Sequence, residues 1–399
     1  MLPIALALIA LLPLSPSPGT DSVEFRGPAA SGKPNLAVGR DGRVILTWLE
    51  PTAENRHALK VAVRTGRTWS APVTVRESDR FFVNWADFPS LVETEDGQWV
   101  VHFLEKTVAK PYAYRVMLTV SGDQGRTWST PFPAHSDGTD TEHGFVSMLP
   151  RPGGGTDLIW LDGRKLVSGE HGEMTVRTNT LDRRGRLGVE VELDGRSCEC
   201  CQARLVRTRT GLLAAYRDRS ATEVRDIALV RQVNGKWLAP QVVAPDGWEH
   251  RACPVNGPAL TAQGDHVSLT WYTGVNDQPR VYLAQSSDGG ATFRPRVRID
   301  EGQTLGRVDA TSLEDGAVVV VWLESAGKAD AQWRIRRVET DGRVGPSRLV
   351  ATVSRARLAG FPRIVRSGMD LLVAMTASGD QGGGGVRVHR LEAPSPAQR

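Results

Sequence analysis

Long apolar stretches are nearly missing from this sequence. The one such run, residues 2–12, is too short to span a bilayer as a helix, and no later segment could cross one. Blocks of like charge are missing too: 49 Lys and Arg are interspersed with 45 Asp and Glu, and the formal net charge is only +4. That pattern excludes a nucleic-acid partner and a polybasic membrane anchor. No extended stretch carries a 3.6-residue apolar period, which excludes a mainly helical architecture. Cysteine is rare, with 4 in 399 residues. Three of them nevertheless crowd into RSCECCQAR (196–204) as Cys198, Cys200 and Cys201, and Cys253 stands alone.

What is plentiful is turn chemistry. The 41 Gly and 24 Pro favour strands joined by tight turns. Short strand-like runs recur, each ending in a bulky residue: VILTW, WVVHF, DLIW, LLAAY, VSLTW, VVVVW and LLVAM. Their last residues, Trp48, Phe103, Trp160, Tyr216, Trp271, Trp322 and Met375, are spaced 55, 57, 56, 55, 51 and 53 apart. A period so regular marks a repeat architecture. Each unit begins with a short strand such as PNLAV (34–38) or FPRIV (361–365). A turn such as Asp41-Gly42 or Asp315-Gly316 leads to the bulky-ended run, and two further strands follow. Four antiparallel strands at this period form a propeller blade. The expected fold is all-β: a single β-propeller of seven four-stranded blades. The seventh unit lacks a last strand, and SVEF (22–25) is expected to supply it and close the ring; six blades are the alternative.

The first nineteen residues, MLPIALALIALLPLSPSPG, read as a secretory leader, although no Lys or Arg precedes the apolar run. The expected organisation is a signal peptide at 1–20, a propeller at 21–393 and a disordered tail at 394–399. The expected location is exported, periplasmic or secreted, where thiols meet an oxidising environment.

Two units carry a sharper motif between their third and fourth strands, SGDQGRTWS (121–129) and SSDGGATFR (286–294). Both fit S-x-D-x-G-x-T-[W/F], and this resembles the Asp-box, or BNR, repeat of sialidase-like propellers. The motif itself reads as structural: the Asp holds its own turn and the Gly takes a positive φ. The resemblance implies an exo-α-sialidase or another glycoside hydrolase. A sialidase uses a Tyr nucleophile assisted by Glu, an Asp acid/base and three arginines on the substrate carboxylate. Candidates for those roles here are Glu142, Arg164, Tyr216, Arg217, Asp218, Tyr272, Arg307 and Arg363. The family's F-R-I-P motif has no clear counterpart: FRGP (25–28) precedes the first inner strand, and FPRIV (361–365) orders the letters differently.

Topology sorts the loops. Short turns after strands one and three share one end of the ring, and longer polar loops share the other, where function is expected. Polar residues preceding the innermost strands should ring the axial mouth. Trp85, Asp87, His143, Asp162, Asn256 and Asp309 are the expected ligand contacts, for a glycan or small polar ligand or for a docked protein. Cys201 and Cys253 are one blade apart, so all four cysteines should meet at this mouth. They read as a disulfide from Cys253 to one of the cluster, as a soft-metal site for Cu or Zn, or as a reactive thiol.

Overall fold

The bulky-ended runs are apolar on both faces. In the sixth unit, Val318, Val320 and Trp322 pack towards the preceding unit, and Val319, Val321 and Leu323 towards the following one. Successive side chains of a strand point to opposite faces, so such a strand has to be covered twice. Stacking similar sheets around an axis covers every unit in this way.

The computed structural model describes residues 22–166, 172–377 and 384–397. The expected signal peptide lies outside the described residues. The chain forms a ring of seven antiparallel sheets, each following the expected inner-to-outer order. The inner strands are Gly32–Val38, Ser90–Glu93, His143–Pro150, Arg204–Arg207, Ala259–Gln263, Thr304–Ser312 and Arg363–Ser367. Each touches the next, and the seventh touches the first. Among the described residues, seven apolar clusters fill the seven seams between blades. Every residue that ends a repeat run is at most 1% exposed and lies in the cluster shared with the preceding blade. The sequence period is therefore the period of the seams.

Closure follows the expectation. Ser22–Arg26 pairs antiparallel with Gly385–Glu392, Ser22 opposite Arg390 and Arg26 opposite Arg387. Phe25 of this strand packs edge-on to Trp48 at 5.2 Å and Trp69 at 5.3 Å, both in blade one. The buried Arg64 of blade one pairs with Glu24 and Asp370 of blade seven, each at 2.7 Å. The six-bladed alternative falls. At the other terminus Ala397 N–H donates to Glu339 at 3.0 Å, so the chain lies against blade six as far as Ala397. Residues 398 and 399 of the expected tail lie outside the described residues.

Helix is confined, among the described residues, to two three-residue 3-10 turns, Val275–Asp277 and Arg357–Ala359. None of the described helices is long and apolar enough to cross a membrane. The two S-x-D-x-G-x-T turns have the same internal wiring. Asp123 and Asp288 each accept from the backbone N–H four residues on, at 2.9 Å in both turns, and from that residue's Thr hydroxyl. Ser121 and Ser286 accept from Gly125 and Gly290, whose φ values are +87° and +80°.

Candidate functional site

The loops leading into the inner strands meet around the axis, and their polar residues mostly grip the neighbouring blade. Asp87 accepts from Phe145 N–H at 2.7 Å, Asn256 from Arg307 N–H at 2.6 Å and Asp309 from Ile364 N–H at 3.0 Å. Gln202 does the same for Gly257 N–H at 3.1 Å. These are straps from one blade to the next, 51 to 58 residues along the chain. The close approach demands glycine: a Cβ on Gly144 would stand 2.1 Å from the Asp87 carboxylate, and one on Gly306 2.4 Å from the Asn256 amide. Asp87, Asn256 and Asp309 were expected as ligand contacts, but their acceptors are turned onto backbone. Burial pushes the Asp87 carboxyl up to about 7 against the Phe145 hydrogen bond. It pushes Asp309 to about 6 although Arg204 pulls the other way.

The expected hydrolase parts are similarly committed. Tyr216 is fully buried and its hydroxyl donates to Asp194; burial and that carboxylate push its phenol far up. It is a core residue, unable to reach a substrate as a nucleophile. Arg217 is 1% exposed and gives its guanidinium to three backbone carbonyls, those of Asn256, Arg225 and Tyr272. It also lies 5.1 Å over the Trp248 ring, so no donor fork remains for a carboxylate ligand. Arg307 donates to the Ala356 and Gly360 carbonyls, and Arg363 to Asn35 while facing Asp309 at 3.4 Å. Arg164 is bidentate to Asp162, with Glu190 at 2.6 Å. Asp218 accepts from Arg219 N–H, and burial raises its carboxyl. Tyr272 packs edge-on to Trp248 at 5.6 Å. A three-arginine clamp beside a free tyrosine is not assembled from these residues.

His143 and Asp162 belong to a buried knot with His135 and Asp137, whose ligating atoms lie within 4.8 Å of one another. The imidazoles stack at 4.0 Å and 7°, so their in-plane lone pairs run parallel instead of converging on one ion. Arg164 occupies both oxygens of Asp162. Burial lowers His135, whereas for His143 the Asp137 and Asp162 carboxylates outweigh burial and raise it. The knot is best described as a charge cluster joining blades two and three.

The cysteines do meet. Cys200 and Cys253 form a disulfide with Cα atoms 6.0 Å apart, tying the loop before blade four to the loop before blade five. Cys198 and Cys201 are buried thiols with sulfurs 3.4 Å apart. Arg225 Nη1 donates to Cys198 Sγ at 3.1 Å, and Asn256 N–H to Cys201 Sγ at 3.3 Å. Burial pushes the Cys198 thiol up, but its hydrogen bond with Cys201 and the Arg225 charge outweigh it and hold the thiol down at about 7. Burial, and after it the hydrogen bond and charge of Cys198, drive the Cys201 thiol well upward. The sulfurs of Cys198, Cys200 and Cys201 all lie within 4.8 Å, a spacing able to hold a metal ion. With the bridge closed, however, two thiols remain and a guanidinium sits on one of them. A Cu or Zn site of thiolates fits only the reduced cluster.

Beside the bridge opens a pocket of about 250 Å³. Of the expected residues it is lined by Trp85, Glu142, Cys200 and Cys253, joined by Tyr112, Tyr114, Glu199 and Arg357. Trp85 stacks on Phe361 at 5.7 Å, with Arg307 and Arg357 at 4.9 and 5.8 Å over its ring. Burial and the facing Glu199 push Glu142 up to about 7. Glu199 is itself bound by Arg219 and Arg225. Sequence reasoning missed Glu199, although it stands inside the CECC quartet. It missed Arg357, which precedes the seventh inner strand as the cysteines precede the fourth. Tyr112 and Tyr114 lie after a second strand, at the end of the ring already marked for function.

No protein-family model and no curated protein matches the chain. Solved structures do match. A protein of unknown function from Dyadobacter fermentans superposes with a TM-score of 0.54 at 14% identity, over 93% of this chain and 97% of that one. A mutant of AofleA from Arthrobotrys oligospora gives 0.50 at 11% identity, over 82% and 89%. A mutant of the NanB sialidase from Streptococcus pneumoniae gives 0.46 at 11%, over 95% and 71%. At such identities the likeness is one of fold alone: this chain is a seven-bladed β-propeller with a cysteine-bordered pocket, and its chemistry has to be argued from its own residues.

Proposed function

We propose that the protein is an exported binding protein that holds a small polar ligand of the carbohydrate class in the axial pocket. The observation that carries this reading is the lining: aromatic side chains of Trp85 and Tyr112 beside the carboxyls of Glu142 and Glu199 and the guanidinium of Arg357. Aromatic faces cover the apolar side of a sugar ring, and a few convergent polar groups take its hydroxyls. The N-terminal apolar run and the disulfide support export.

Calorimetric titration against a panel of neutral and acidic oligosaccharides tests it. Tyr112 is 57% exposed, so Tyr112→Ala leaves the fold intact. It is expected to weaken binding about tenfold, the loss of roughly 1.4 kcal/mol of ring contact. Saturable binding to none of the panel, or binding indifferent to Tyr112, ends the proposal.

Glu142 favours a second reading. A carboxyl held near 7 beside a pocket is suited to protonate a glycosidic oxygen. If the protein cleaves what it binds, released reducing sugar appears with the unmutated chain and vanishes in Glu142→Gln, which still binds.

A further inference from the structure

Cys198 has two sulfurs within reach. Its Sγ is 3.4 Å from Cys201 and 3.8 Å from Cys200. Cys200 is already bonded to Cys253. The Arg225 guanidinium donating to Cys198 favours the ionised sulfur. A thiolate at contact distance from a disulfide sulfur is placed for exchange, because proximity removes the entropic cost of the encounter. The two ends of this unit differ in access: Cys198 is fully buried, whereas Cys253 is exposed and lines the axial pocket.

We propose that Cys198 attacks Cys200 and moves the disulfide inward, from Cys200–Cys253 to Cys198–Cys200, releasing Cys253 as a nucleophilic thiol at the rim of the pocket. The Cys198–Cys200 bond forms as the Cys200–Cys253 bond breaks, and the electron pair leaves on Cys253 Sγ. One disulfide replaces another, so no oxidant is consumed. Arg225 tolerates the loss of charge at Cys198, because Glu199 and Glu223 each hold it at 2.9 Å. The freed Cys253 thiolate is then open to a small disulfide: its sulfur bonds to one substrate sulfur and the other departs as a thiolate. This activity is separate from carbohydrate binding and stands or falls without it.

Differential labelling of the native, unmutated protein is the test. Iodoacetamide is added before denaturation and N-ethylmaleimide after it, and non-reduced tryptic peptides are weighed. The expected map has carbamidomethyl on Cys253, and peptide 197–204 unlinked from 252–280 with an internal Cys198–Cys200 bond. Glutathione disulfide in place of iodoacetamide is expected to leave glutathione on Cys253. Peptides 197–204 and 252–280 that stay joined, with label only on Cys198 and Cys201, overturn the proposal. In Cys198→Ala the bridge is expected to lock and the Cys253 label to disappear; persistence of that label in the folded variant also overturns it. Should the variant not fold, the map of the unmutated chain decides alone.

Discussion

The two ends of the ring use the same side chain in opposite ways. At the end built of short turns, Asp123 and Asp288 bond within four residues, the first half-exposed and the second fully open to water. The Thr127 and Thr292 hydroxyls, then the backbone donors, hold both carboxyls down at about 2. At the mouth, Asp87 and Asp309 are buried and bond to backbone a whole blade away, and burial drives them up to about 7 and 6. A turn needs only its own sequence, whereas the mouth is completed blade by blade. The first can be repeated as a motif, and the second has to be solved once, residue by residue, with room for a specific pocket.

The sharpest way to break this comparison is Arg217→Ala. That buried guanidinium ties carbonyls of blades four and five, and its removal strands acceptors inside the protein. We expect a loss of about 3–5 kcal/mol, read from the urea midpoint. A loss below about 1 kcal/mol would mean that the mouth straps matter no more than surface turns.

Asp87 sharpens it through pH. Its carboxyl is raised from 3.8 to about 7 in the fold, chiefly by burial. Between those values the native state binds more protons than the unfolded chain, so this group stabilises at low pH and the contribution is lost as pH rises to about 7. Asp87→Asn keeps an acceptor for Phe145 N–H without the charge, and should flatten that slope in chemical denaturation. Asp87→Ala leaves the N–H unpaired and should cost about 1–3 kcal/mol even at pH 5.

The fold was legible because its period is local: each bulky-ended run announces a seam, and the unpaired SVEF segment announces the closing strand. Of the residues that line the pocket, the sequence pointed to Cys200, Cys253, Trp85 and Glu142. Asp87, Asn256 and Asp309 looked like ligand contacts because a polar residue at the mouth looks the same whether it faces a ligand or a neighbour's backbone. Their role shows in a pairing with residues 51 to 58 positions on, two of them next to glycines, Gly144 and Gly306, that a side chain would block. Arg217 and Tyr216 misled for the same reason, since chemistry-bearing side chains also serve as struts. Tyr112, Tyr114 and Arg357 carry no motif, and only the folded loops bring them together.

The smallest expected effect lies at the turn end. Asp288→Ala removes acceptors for Ala291 N–H, Thr292 N–H and the Thr292 and Ser286 hydroxyls. The carboxylate and its Thr292 and Ala291 donors are in contact with water, which replaces the lost bonds. The cost should stay below about 1 kcal/mol. Its pH dependence should run opposite to that of Asp87. The Asp288 carboxyl is lowered from 3.8 to about 2, so its contribution is present above the ordinary value and fades as pH falls through about 2. Acidification therefore weakens the unmutated protein relative to Asp288→Ala, whereas it strengthens the unmutated protein relative to Asp87→Asn. Amide exchange should show loss of protection confined to residues 286–292 in the first variant. Protection lost in a neighbouring blade as well would mean that the turn end, too, is built across the seams, and the contrast between the two ends would disappear.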